Sequence, residues 1–282
     1  MKFFRLLFLG LISFPVFSRI YGKIVRCRHP RFLIKAWIRL FKKHYRITMD
    51  DFQGDVDGYR SLSDFFVRKL DPEKRPLVPD HRAVLSPADG KLTAVETVFQ
   101  DKAAQLKVKG MYYSISEMID ENIDFSQGWH VATIYLSPHN YHRFHYPLAG
   151  KVKRYFHRRG RLFPVNAMGL NNIKKLFVRN ERIVMEMGIK TKTGEWPCYA
   201  AAIGATFVGS IRMECIDAAR GEKRKRNRWV PVNLDVKQLE EMGRFEMGST
   251  IVLVIPKNIA EPIADVMGQP VKVGQPIFSF IN

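Results

Sequence analysis

Ser249 follows Gly248 at the mouth of the apolar, β-branched run Ile251-Val252-Leu253-Val254-Ile255. A hydroxyl there can fold back onto the Gly248 carbonyl, because glycine tolerates unusual backbone angles and lets another group approach closely. That is the geometry of self-cleavage. A plain turn before a buried strand uses the same two residues, so the pair alone decides nothing. Two other stretches are more polar and punctuated than a core requires. Ser137-Pro138-His139-Asn140-Tyr141-His142-Arg143-Phe144-His145-Tyr146-Pro147 holds three of the chain's eight histidines between two prolines. Ser86-Pro87-Ala88-Asp89-Gly90 puts an aspartate in a turn between two apolar runs, where an Asx-turn also explains it.

One imidazole near Ser249, oriented by an acid such as Asp89, would suffice for acid/base activation of the hydroxyl. Chain order is no obstacle, because such a triad is defined by geometry. A metal fits poorly. Histidines spaced by three and three put at most two on one helical face, and Cys27, Cys198 and Cys215 form no CxxC pair. The same three cysteines, odd in number and far apart, argue against a disulfide framework and for a reducing compartment.

The elements that must position these residues read mainly as short strands. Ala83 to Leu85, Lys91 to Phe99, His130 to Leu136, Arg182 to Ile189, Tyr199 to Val208 and Ile211 to Cys215 are β-branched or apolar runs punctuated by Gly, Pro and Asn. Ser61 to Arg68 reads as a short helix with hydroxyl caps, and Pro72, Pro76 and Pro79 mark a connecting loop. Glu222-Lys223-Arg224-Lys225-Arg226-Asn227-Arg228 reads as a solvated loop. With 282 residues, 46% of them hydrophobic, the chain can build one large core or two modest ones.

Charge is unevenly placed. Residues 1 to 46 carry twelve Lys or Arg and no acid, whereas the rest has 34 basic against 27 acidic residues. Between Arg31 and Arg46 the basic residues Arg31, Lys35, Arg39, Lys42 and Arg46 recur at helical spacing, with Leu33, Trp37, Leu40 and Phe41 around the other side. A basic stripe opposite an aromatic and aliphatic face suits a helix lying in a membrane interface, while a core-packing helix with a solvated face shows the same pattern. Met1 to Phe17 also has the outline of a signal peptide, but its uncharged run is short of the roughly 20 residues a spanning helix needs.

Taken together, these residues carry a resemblance. Phe65-Phe66-Val67-Arg68, Pro87-Ala88-Asp89-Gly90, Tyr135-Leu136-Ser137-Pro138, Tyr141-His142-Arg143-Phe144-His145, Leu162-Phe163-Pro164-Val165-Asn166, Phe177-Val178-Arg179-Asn180-Glu181-Arg182, Gly204-Ala205-Thr206-Phe207-Val208-Gly209-Ser210-Ile211 and Met247-Gly248-Ser249-Thr250 occur in one order. From about Ile34 onward the chain resembles the membrane-associated, pyruvoyl-dependent phosphatidylserine decarboxylases of bacteria. The family more often has Leu where Met247 stands, and the acidic tail of some members is missing here.

The resemblance implies that Asp89, His145 and Ser249 form a self-processing triad, that His142 serves decarboxylation, and that the chain is cut between Gly248 and Ser249. Ser249 would become a pyruvoyl cofactor heading a chain of residues 249–282, paired with residues 1–248 as a heterodimer that is free to oligomerise further. Its ketone would form a Schiff base with the amine of phosphatidylserine and take up the electrons released with CO2. The implied fold is α+β. Residues 49–282 would be a β-rich catalytic domain of mainly antiparallel strands with a few helices, preceded by amphipathic membrane-docking helices in residues 1–48. The implied partners are phosphatidylserine and an anionic membrane surface, at the cytoplasmic side of the cell membrane, without nucleic acid. Two rivals are a pyruvoyl decarboxylase for a soluble amino acid and a non-catalytic basic membrane- or RNA-binding protein. The basic arm argues against the first, and the joint presence of Asp89, His142, His145 and Ser249 against the second.

Overall fold

A computed structural model of the chain describes residues 10, 13–99, 105–108, 111–191, 194–206, 211–217, 226–246 and 248–281. Most of the Met1 to Phe17 stretch, Phe207 to Ser210, Glu222 to Lys225 and Met247 lie outside these residues. Helices α1 (Pro15–Val25) and α2 (Arg31–His44) come first, followed by the short α3 (Leu62–Phe66). Strands β1 (Ala83–Leu85) and β2 (Gly90–Val98) flank Asp89, and the hairpin β3 (Gln105–Val108) and β4 (Met111–Ser114) runs into α4 (Ile115–Ile119). Strands β5 (Trp129–Leu136) and β6 (Arg143–His145) bracket the histidine segment; β7 (Gly150–Arg158), α5 (Ala167–Asn172) and α6 (Leu176–Arg179) follow. The hairpin β8 (Arg182–Thr191) and β9 (Gly194–Ile203) precedes β10 (Ile211–Met213), α7 (Glu214–Asp217), β11 (Trp229–Val236) and β12 (Glu241–Phe245). The chain ends with β13 (Ser249–Pro256), β14 (Ala260–Pro262), β15 (Pro270–Val271) and β16 (Pro276–Phe280).

Eight strands form one antiparallel sheet in the order β11-β7-β8-β9-β13-β5-β2-β15. Strand β13 lies between β9 and β5, and every residue along it is buried. That explains its sequence. A central strand covered on both faces reads as a continuous apolar run instead of an alternating one. One face, with Leu136, Ile134, Ile251 and Leu253, packs against Phe144, Phe245 and Phe278 from the smaller sheets β10-β12-β6 and β1-β16-β14. The other, with Val131, Val252 and Val254, packs against Tyr113, Met118, Leu176 and Phe177 from the hairpin and short helices. The architecture is thus α+β, β-rich and antiparallel, with helices at the N-terminus.

Differences from the sequence-based expectation are local. The run Ile211 to Cys215 is strand only to Met213 and then turns into α7, and the strand expected over Tyr199 to Val208 spans Gly194–Ile203. Strands β7, β11 and β12 give no clean alternation, being partly covered along their lengths.

Helix α2 faces differently from the expected two-sided pattern. Ile34 and Ile38 are buried, and Trp37 and Phe41 pack with them against Leu62 and Phe65. Phe32, Leu33 and Leu40 instead point outward at 71%, 54% and 65% exposure. Val16, Ile20 and Ile24 on α1 are likewise exposed. Arg39, one of the expected stripe residues, is engaged by both oxygens of Asp57 at 2.8 Å. Among the described residues, no helix is long and apolar enough to cross a membrane.

Candidate active site

Ser249 opens β13 opposite Leu136 of β5 and is fully buried, and among the described residues its hydroxyl has no hydrogen-bond partner. An unpartnered buried hydroxyl costs on the order of 1–3 kcal/mol, so stability gives no reason for a serine here. The preceding glycine needs no special backbone angle, because Gly248 is not among the residues of positive φ. Among the described residues, a Cβ built on it would meet only the Leu136 carbonyl oxygen, at an ordinary 3.5 Å. Ser249 itself already belongs to the strand.

His142 is reached from Ser249 through the facing strand, since Leu136 pairs with Ser249 and the next carbonyl, of Ser137, lies 3.0 Å from His142 Nε2. That contact makes Nε2 the protonated nitrogen. Nδ1 is buried and has no partner among the described residues. The ring stacks on Phe66 at 3.9 Å and 24°. Burial, helped by the charge of Arg68, holds its pKa well below the usual imidazole value, so His142 is neutral at physiological pH.

Arg68 clamps the turn that carries this histidine. Its Nη2 donates to the carbonyls of His139 at 2.7 Å and Asn140 at 3.1 Å, and its guanidinium lies 4.2 Å above the Phe52 ring. Burial brings its pKa down to about 10, which leaves it charged at neutral pH. A second arginine, Arg143, ties the same segment to Glu241 with two bonds of 2.7 and 2.8 Å and to the Val67 carbonyl at 2.9 Å. The Phe65-Phe66-Val67-Arg68 motif thus acts as the seat of the histidine loop.

His145 is held from both ends. Nδ1 lies 2.7 Å from the Leu239 carbonyl, which fixes Nδ1 as the donor, and Nε2 accepts from the Tyr141 hydroxyl at 2.9 Å. Burial lowers its pKa, while the Leu239 carbonyl and the carboxylates of Glu241 and Asp89 oppose that shift. Asp89 sits in the β1–β2 turn. One carboxylate oxygen accepts from Arg75 at 2.6 Å and from the Val273 backbone N–H at 2.9 Å, and the other accepts from Arg75 at 2.8 Å.

The fold therefore gathers Asp89, Tyr141 and His145 on one side, and sets His142 beside the strand end that carries Ser249. Among the described residues no hydrogen bond joins Asp89 to His145 or His145 to Ser249; Asp89 acts on the imidazole through its field. Arg75, Tyr141 and the Leu239 carbonyl escaped the sequence reading. Tyr141 lies inside the quoted motif, whereas a carbonyl 94 residues from His145 leaves no sequence signal. Among the described residues, no group of three or more His, Cys, Asp or Glu is placed to hold a metal.

A β-rich antiparallel fold with a buried serine, two buried histidines and a clamped aspartate defines an enzyme-like centre built on the start of a central strand. The family described as phosphatidylserine decarboxylase matches residues 62–279. Curated proteins named phosphatidylserine decarboxylase proenzyme are similar along most of the chain. That of Pseudomonas fluorescens is 36% identical, covering 94% of this chain and 93% of its own length. Those of Brevibacillus brevis and Azotobacter vinelandii are each 34% identical, covering 86% and 89% of both chains respectively. The chain belongs to the phosphatidylserine decarboxylase family and is a decarboxylase.

Proposed function

We propose that this protein is a proenzyme that cuts itself between Gly248 and Ser249 and then decarboxylates phosphatidylserine to phosphatidylethanolamine and CO2. The observation that carries the reading is the buried hydroxyl of Ser249, partnerless among the described residues, at the head of the central strand and directly after a glycine. In processing, Ser249 Oγ attacks the Gly248 carbonyl carbon and the peptide bond becomes an ester. Elimination across the Cα–Cβ bond of residue 249 releases the Gly248 carboxylate, and hydrolysis of the resulting enamine expels ammonia and leaves a pyruvoyl group.

His145 suits the task of taking the Ser249 proton. Its Nδ1–H is committed to Leu239, so Nε2 is the basic nitrogen, and it exchanges the Tyr141 hydrogen bond for the serine proton. Asp89, fixed by Arg75, stabilises the imidazolium that results. The site also fits the pyruvoyl group, because residue 249 is fully buried and the Oγ that leaves with the Gly248 carboxylate is bonded to no described protein group. When formed, that group supplies a conjugated carbonyl that takes up the electrons left by CO2. His142 then works through Nδ1, its uncommitted nitrogen, to accept a proton and return it to the carbon that lost the carboxylate.

The outward apolar residues of α1 and α2, edged by Arg31, Lys35 and Lys43, support docking on an anionic membrane surface. Intact-mass measurement tests the core of the reading. Two fragments ending at Gly248 and starting with a pyruvoyl group at 249 are expected; a single full-length species that still releases CO2 from phosphatidylserine would overturn it. Replacing Phe32, Leu33 and Leu40 by Ser tests the docking surface. Sedimentation with anionic vesicles should fall while the fold is kept, and unchanged sedimentation would refute docking by this face.

A further inference from the structure

On the helix-covered face of the main sheet, a cavity of about 480 Å³ opens at the same strand end that carries Ser249. Its floor is a cross-strand row, Lys91 on β2 beside Tyr135 on β5 beside Thr250 on β13, with Thr133 one step further along β5. Its roof comes from the 165–177 segment, including Asn166 and Phe177. The volume is in the range of about 300–1,000 Å³ typical of small-molecule sites.

Two features give the cavity a chemistry. Thr133 and Thr250 are each 1% exposed, and the hydroxyl of each has no partner among the described residues. Two orphaned hydroxyls lining one cavity are destabilising, on the order of 1–3 kcal/mol each, unless something bonds them. The charged group in the lining is Lys91, and no carboxylate among the described residues lines the cavity. Hydroxyl donors beside an ammonium, with Val165, Leu170 and Phe177 in the roof, suit an anion joined to a partly apolar molecule.

Resting on the reading above, we propose that this cavity seats the phosphodiester of the lipid head group, held by Lys91 and by the hydroxyls of Thr133 and Thr250. Thr250 immediately follows the residue that reacts, and its side chain faces the cavity side of the strand while that of Ser249 faces the other core. A phosphodiester at Thr250 puts the attached serine within one residue of the position 249 backbone. Cleavage after Gly248 frees that backbone on one side, so the group formed there can turn toward the cavity.

The test uses the full chain and its variants Lys91→Gln and Thr133→Val. Both sites lie away from the cleaved bond, and Thr133→Val conserves volume. Glycerophosphoserine and inorganic phosphate are titrated separately by calorimetry, and KM and kcat are measured with a short-chain phosphatidylserine. Glycerophosphoserine should bind the parent, each variant should weaken it about tenfold, and KM should rise by a similar factor with kcat within about threefold, since one charge-assisted contact contributes roughly 1.5 kcal/mol. Unchanged affinity and KM in both variants would overturn the proposal, as would equal binding of inorganic phosphate and glycerophosphoserine. If the parent decarboxylates nothing yet loses glycerophosphoserine binding on substitution, the site stands and the decarboxylation reading falls. If the parent is active and both variants bind and turn over as it does, the decarboxylation reading stands and the site falls.

Discussion

Ser249→Ala separates chemistry from stability at one atom. Residue 249 is fully buried and its hydroxyl is unpartnered, so the substitution removes a desolvated polar group and breaks no hydrogen bond among the described residues. A serine hydroxyl that was bonded would cost about 1 kcal/mol to delete, whereas deleting an orphaned one should return about the same amount. In a protein of this length, about 1 kcal/mol corresponds to roughly 2–4 °C in the unfolding midpoint. The parent is expected to be cut, so the fair comparison is within uncut chains: His145→Ala against the His145→Ala, Ser249→Ala double variant. The double variant should melt about 2 °C higher by calorimetry. The single Ser249→Ala chain should be folded, uncut by intact mass and inactive. A midpoint lower by several degrees would mean that the hydroxyl is bonded after all. Cleavage of Ser249→Ala at Gly248 would show an external protease at work and refute self-processing.

His145→Ala should leave an uncut chain, whereas His142→Ala should still cut but release CO2 slowly; an uncut His142→Ala chain would refute that division of labour. His130, His142 and His145 all have pKa values lowered first by burial, so the unfolded chain binds more protons than the folded one below the ordinary imidazole pKa of about 6.5. Stability should accordingly fall as pH drops from 7 toward 5, and His142→Phe should flatten the melting-point profile across that window; an unaltered profile would show that His142 protonates normally in the folded state. Arg75 and Asp89 form a pair with side chains only 11% and 12% exposed, so Arg75→Met, which strands the carboxylate, should cost about 3 kcal/mol in urea unfolding. A urea midpoint equal to the parent's would exclude that clamp.

Much of this fold was readable because its signals are local. The apolar run after Ser249 marked a buried strand, Ser61 marked the cap of α3, and the Asp89 turn fell between two strands as its punctuation suggests. The edge of the main sheet was harder. β11 alternates poorly because its residues are mostly exposed or half-buried, so packing imposes no strict period on them.

The sequence by itself determined which residue types are available for chemistry, their order along the chain, and the basic, aromatic character of the first segment. It also pointed to a buried strand after Ser249; that this strand is central came from its pairing with β9 and β5. Tertiary structure alone decided how those residues are wired. Asp89 is gripped by Arg75 and by a backbone N–H 184 residues away, and the tautomer of His145 is set by the Leu239 carbonyl. Such partners are chosen by strand register and chain crossing, and a backbone carbonyl or amide has the same identity at every position, so no residue letter announces it. The same holds for α2, whose aromatic face is divided between core and solvent by where α3 happens to pack.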